Sequence, residues 1–223
     1  MKTALLNIFR FIGFFFTLAV WRIVQSHDFN RFSTSLILII PITLVFPVVW
    51  AARKIVDRKP APGRFAWTTS ILHMVLMILF GASIIASVKL FSIWSDKLIP
   101  LPVGIGLILL YITGFFLALT VLNLAISGFG APFAIALSKR LANRWMYSYT
   151  RNPMVLCTLA ALVSAGIYFQ SLVYIIWVVL LIAPALIYFL KVYEERELEF
   201  RFGASYLAYK DKTSFLLPGK QKD

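Results

Sequence analysis

Residues 154–191 read MVLCTLAALVSAGIYFQSLVYIIWVVLLIAPALIYFLK, two apolar runs parted by Gln170 and Ser171. An α-helix needs about 20 mostly apolar residues to cross a bilayer, so two such runs joined by a turn around Gln170 read as a membrane hairpin. Four more runs precede it, at 5–24, 35–52, 69–89 and 101–126, and the hairpin adds 154–169, which is short, and 172–191. The composition agrees: of 223 residues, 61% are hydrophobic and 16% aromatic, too apolar for a soluble domain. The expected fold is all-α, a polytopic membrane helix bundle of about six transmembrane helices with a C-terminal amphipathic interfacial helix. The first run carries Lys2 and Arg10 at its start like a secretory signal, but no small-residue cleavage pattern follows it. It reads as a retained helix.

Charge placement orients the expected bundle, because cytoplasmic loops collect Lys and Arg. With six spans, one side holds the N-terminus, the loop ARKIVDRKPAPGRF, the stretch 128–152 and the C-terminal tail, and 18 of the 22 Lys and Arg fall there. Arg22, Arg31, Lys89 and Lys97 fall toward the other face. Both termini are therefore expected in the cytoplasm, and the net charge of +13 is explained by orientation and anionic lipid, with no nucleic-acid partner. The single cysteine, Cys157, excludes a disulfide framework and a Cys-rich metal site. His73 has no second His or Cys placed to share a metal and reads as a hydrogen-bonded residue inside the bundle. No metal is expected.

Polar chemistry concentrates late in the chain. Residues 1–127 read as four N-terminal transmembrane helices. Residues 128–223 read as the functional core: a Gly-rich loop, the hairpin, and a cytosolic C-terminal helix and tail, the whole forming one integrated membrane domain. The core opens on GFGAP (128–132), whose glycines free the backbone and whose proline ends the preceding helix. Then comes YSYTRNPM (147–154) at the mouth of the fifth span. Taken residue by residue, Asn152 is a good N-cap, Pro153 suits the first helical position, and Arg151 snorkels to the interface.

The last span runs out into EERELEFRFGASYLAYK (194–210), which holds four of the nine acidic residues within six positions. Helical spacing places Ile187, Leu190, Glu194, Leu198 and Phe202 on one stripe, with Glu194 in line with the apolar face and Glu195 beside it. Glu197, Glu199 and Arg201 read as a solvated face with an internal Glu197–Arg201 pair. Since 154–191 goes across the membrane and back, Arg151 and the Glu194–Glu195 pair are expected at the same membrane face, in a polar pocket capped by the tail.

RNPM opening a short hairpin, then EE, then Phe202, Gly203, Tyr206, Tyr209 and Pro218 in that order, resembles the C-terminal core of the isoprenylcysteine carboxyl methyltransferase and phospholipid methyltransferase superfamily of integral membrane enzymes. GFGAP is similar to the G-x-G-T-P stretch of many bacterial members. The resemblance covers 128–218; the first four spans share only their character as membrane helices. The family pattern is similar to R-[HN]-P-x-Y, so Arg151, Asn152, Pro153 and Met154 carry over, while Val155 stands at the tyrosine position. Trp145 and Met146 stand where Gly-Pro is common, and Tyr147 matches the tyrosine that follows.

The resemblance implies an S-adenosylmethionine-dependent methyltransferase, with the cofactor held by Tyr147, Arg151, Asn152, Pro153, Met154, Glu194, Glu195 and Tyr206, and Arg151, Asn152 and Glu194 in catalytic positions. The residue types suit that chemistry. Methyl transfer from a sulfonium is a displacement that depends chiefly on holding the acceptor close and aligned; a carboxylate accepts hydrogen bonds from an ammonium or a ribose diol, and an arginine pairs with a carboxylate. The expected acceptor is a membrane lipid or lipid-linked group, a prenylcysteine-type carboxylate or a phospholipid-type amine. The alternative is a non-enzymatic small membrane transporter or assembly factor sharing the hairpin, for which Pro41, Pro47 and Pro184 are the only hints. A bacterial inner membrane is the expected location, with the endoplasmic reticulum as the alternative.

Overall fold

A computed structural model of the protein describes residues 2–92, 96–128, 138 and 140–219. All regular structure among them is helical: α1 Lys2–Ser26, α2 Arg31–Arg58, α3 Pro62–Phe91, α4 Val103–Gly128, a single turn α5 Met146–Tyr149, α6 Pro153–Tyr168, α7 Leu172–Phe202 and α8 Ala204–Lys212. Helices α1 to α4 and α7 are long and apolar enough to cross a membrane, and the protein is an integral membrane protein. Helix α6, with 16 residues, is about 24 Å long at 1.5 Å per residue, short of a hydrocarbon core of about 30 Å. It is the span expected to be short.

The described residues form two compact units. The first holds α1, α2, α3 and residues 180–197 of α7. Helix α3 packs against both α1 and α2, and α2 also packs on 183–194. One face of α2 carries Ile42, Val45, Val49 and Val56, all fully buried, at the i, i+3, i+4 spacing of one helical stripe. Polar ties connect the helices where lipid cannot satisfy them: Arg10 Nε donates to Ser70 Oγ at 2.8 Å, and Trp21 Nε1 donates to the Met77 carbonyl at 3.0 Å. His73 Nδ1 lies 2.9 Å from the Thr69 carbonyl and its ring meets Phe189 edge-on, so it is the hydrogen-bonded residue expected.

The second unit holds α4, α5, α6, both ends of α7, α8 and the tail. Helices α4 and α6 pack closely, because Gly106 lets the backbone of Tyr168 approach where a side chain would stand. The turn between α6 and α7 falls at Gln170, in the left-handed region at φ 54°. It is tied to the loop before α4, since Gln170 Nε2 donates to the Leu101 carbonyl at 2.9 Å.

Helix α7 is not uniformly α. It widens to a π-helix at Val178–Ile182 and again at Leu190–Glu194. Pro184 lacks the N–H that the Leu180 carbonyl would accept, and the first widening lies just ahead of it. Buried positions along α7 recur at 174, 178, 182, 185, 189, 193 and 197, which is 23 residues in six turns, whereas an α-helix takes about 21 to 22. The π turns absorb the excess, each adding a residue to its turn.

This changes the expected stripe. Of Ile187, Leu190, Glu194, Leu198 and Phe202, only Leu190 is buried. Glu194 and Glu195 are half-buried, and Glu197, expected on a solvated face, is 4% exposed. A constant period of 3.6 cannot anticipate a helix that changes its own period.

Candidate active site

The start of α6 is built as a junction with the C-terminal tail. Asn152 stands at the N-cap and Pro153 is buried at the first position of the helix, where a residue with no N–H to lose is well placed. The Asn152 side chain does not cap, contrary to the sequence expectation. Its Nδ2 instead donates to the Phe215 carbonyl at 2.8 Å, and Thr150 Oγ1 donates to the same oxygen at 3.2 Å. A carbonyl with two lone pairs accepts both.

Arg151 is held on three sides. Its backbone N–H donates to the Ser214 carbonyl at 2.9 Å, Nη1 donates to the Lys210 carbonyl at 2.6 Å, and the guanidinium lies over the Phe215 ring, 5.7 Å from its centre. Farther along, the Gly219 N–H donates to the Tyr149 carbonyl at 3.1 Å. The tail from 213 to 219 therefore follows the chain from 149 to 152, with Thr213 buried beneath it.

A second layer sits behind this clasp. Tyr209 OH donates to the Tyr147 carbonyl at 2.6 Å, with both residues buried. Burial pushes the Tyr209 phenol well above its usual range, the Tyr147 phenol adds in the same direction and the Arg151 guanidinium pulls against them. Tyr206, 2% exposed, lies one turn before it, with ring centres 6.2 Å apart. Gly203 makes these contacts reachable: its φ of 53° is a conformation side chains disfavour, and it breaks α7 from α8. Lys210 Nζ pairs with Glu199 at 3.0 Å, so Glu199 is engaged with α8.

Of the residues expected in the site, Tyr147, Arg151, Asn152, Pro153, Met154 and Tyr206 come together in the second unit, and Met154 is half-buried beside Pro153. Glu194 and Glu195 belong to the first unit, where they end the second π segment and begin the regular helix after it. Thr150, Tyr209, Lys210 and Phe215 were not expected at the junction; a hydroxyl just before RNP was the one signal for Thr150. The Gly-rich stretch expected to open the core lies, apart from Gly128 at the end of α4, outside the described residues. Among the described residues no three His, Cys, Asp or Glu side chains are grouped to hold a metal.

Within the second unit, a guanidinium at the positive end of a helix suits a carboxylate and buried tyrosines offer aromatic surface; within the first, half-buried carboxylates suit an ammonium or a diol.

Residues 101–205 match the family model described as Phospholipid methyltransferase. No curated protein and no solved structure gives a significant match to the chain. The resemblance carried by RNPM, EE and Phe202–Gly203 is borne out, and the match begins earlier than expected, taking in the fourth span as well as the core. Tyr206, Tyr209 and Pro218 lie beyond its end.

Proposed function

From the premise that residues 101–205 are a segment of a membrane methyltransferase family, we propose that the protein transfers a methyl group from S-adenosylmethionine to a membrane-embedded or lipid-linked acceptor. The observation that carries the reading is the match itself, which spans every motif from RNPM to Phe202–Gly203 in order. Residues 128–223 are the catalytic core. Bound S-adenosylmethionine supplies an electrophilic methyl group on a sulfonium.

The chain's own residues bind and orient. Arg151 and Asn152 serve the cofactor carboxylate or the acceptor; the clasp with Lys210 and Phe215 holds both side chains in one rotamer, which lowers the ordering cost of binding. Glu194 and Glu195 take the cofactor's ammonium and ribose hydroxyls, with Glu194 nearest to the catalytic role. Tyr147, Pro153, Met154 and Tyr206 give the apolar and aromatic lining. The acceptor is a prenylcysteine-type carboxylate or a phospholipid-type amine. An amine must lose a proton before it attacks and a carboxylate need not. Both termini face the cytoplasm, as 18 of 22 basic residues on one side favour, and the membrane is a bacterial inner membrane.

Radiolabelled S-adenosylmethionine binding to detergent-solubilised protein tests the reading. Saturable binding that weakens in Glu194→Gln and Arg151→Ala is expected. Full retention by both variants removes these site assignments, and no saturable binding by the wild type favours the transporter or assembly factor. Incorporation of labelled methyl into total membrane lipid, with mass spectrometry of the product, then names the acceptor class.

A further inference from the structure

Helices α2 and α3 grip one short stretch of α7, and the stretch they grip is the second π turn. Arg53 Nη1 on α2 donates to the Val192 carbonyl at 2.9 Å. Arg53 Nε is bonded to Asp57, and Asp57 also pairs with Arg196 at 3.3 Å, one turn beyond Val192. On α3, Thr69 Oγ1 lies 2.9 Å from Tyr193 OH, with both residues buried. Val192 and Tyr193 are the third and fourth residues of the π segment Leu190–Glu194. All of these residues lie within the first unit.

A π turn holds one residue more than an α turn, and it disturbs the ladder of carbonyl partners. At this segment Arg53 brings a charged donor from outside the helix to the Val192 carbonyl. Removing the extra residue's worth of winding would turn everything after it by about 100° about the helix axis. Glu197 would then leave the buried column that it now ends, and Glu194 and Glu195 would turn with it.

We propose that Arg53, braced by Asp57 and assisted by Thr69, is a positioning residue that fixes the π register of α7 and so decides which of Glu194, Glu195 and Glu197 face inward. The inference deepens the proposed function, and its bearing on cofactor binding rests on that reading. A guanidinium reaches Asp57 through Nε and Val192 through Nη1 at once; an ammonium cannot span both with one fixed fork. Lysine at this position keeps the charge and loses the grip.

The test reads the register directly, in the full chain in detergent with Cys157→Ser removing the native thiol. A water-soluble maleimide is expected to label Glu194→Cys about tenfold faster than Glu197→Cys, because thiol reactivity follows exposure. Adding Arg53→Met, or the milder Arg53→Lys and Thr69→Val, is expected to bring the two rates to within about threefold while the helical circular dichroism is kept. An unchanged labelling contrast in folded Arg53→Lys and Thr69→Val proteins overturns the proposal. Where the contrast collapses, S-adenosylmethionine affinity of Arg53→Met with all glutamates intact is expected to fall about tenfold. Absence of cofactor binding by the wild type would sink the proposed function and leave the labelling result readable by itself.

Discussion

Asp96 and Ser171, 75 residues apart, share a hydrogen bond of 3.0 Å from the serine hydroxyl to Asp96 Oδ2, and between them they cap the start of α7. The first N–H groups of a helix have no partners within it. Here Leu172 and Val173 donate to Asp96 at 3.1 and 3.0 Å, Tyr174 donates to Ser171 Oγ at 3.2 Å, and Ile175 donates to the Ser171 carbonyl at 3.4 Å. The N–H groups of the first turn of the last span, Leu172, Val173 and Tyr174, are thus answered by two residues.

Asp96→Ala is expected to destabilise the protein by about 1 to 2 kcal/mol, the usual cost of a lost cap, in thermal unfolding in detergent. Desolvation alone would raise the Asp96 carboxyl, but hydrogen bonds from the Val173, Leu98 and Leu172 amides and the Ser171 hydroxyl outweigh it and hold it below its usual range. A depressed folded value stabilises above the ordinary carboxylate pKa of about 4, and the contribution is lost as pH falls through the folded value. Asp96→Asn should flatten this part of the acid stability profile.

Trp145 occupies a backbone conformation that favours glycine, with φ 54° and ψ −121°. A non-glycine residue held there costs about 1 to 3 kcal/mol. The residue is 63% exposed, so little packing is lost on truncation. Trp145→Gly is expected to raise stability by about 1 kcal/mol, whereas Trp145→Ala, which keeps a Cβ, gains nothing. Paired thermal melts of the two variants decide it.

Gly106 marks where α4 meets α6. A Cβ there would stand 2.5 Å from Tyr168 Cα, and backbone does not yield as a flexible side chain does. Gly106→Ala should cost about 1 to 3 kcal/mol as an overpacking change. Gly104 and Gly114 on the same helix have open space beside them. Alanine at either should be neutral, or stabilising by up to about 1 kcal/mol through helix propensity.

Tyr209→Phe removes the donor to the Tyr147 carbonyl and leaves a buried acceptor behind, which costs about 1 to 3 kcal/mol. The tail should loosen with it, read as faster proteolysis beyond residue 212. Because the Tyr209 phenol is raised, it remains a donor where an ordinary tyrosine ionises, near pH 10. Its stabilisation is full below that pH and fades as pH rises through the higher folded value, a dependence absent from Tyr209→Phe.

Much of this protein is local, and what is local was legible in the sequence. Apolar runs of spanning length fix where helices lie whatever they pack against, so the long runs emerged as α1 to α4 and α7, and 154–169 as the short α6. Gln170 marked the turn of the hairpin, Pro153 the first residue of α6, and the order of RNPM, EE and Phe202–Gly203 carried the resemblance that the match over residues 101–205 bears out. The partners of polar side chains were not legible, because they come from far along the chain. Asn152 looks like a cap until the tail offers it the Phe215 carbonyl, and Asp96 looks like a loop residue until α7 starts beside it. Glu197 rather than Glu194 is buried because α7 widens twice, and Pro184 announced only the first widening. The second has no residue of its own in the sequence. It is matched by Arg53 and Thr69 on helices more than a hundred residues away, and only tertiary packing brings them to it.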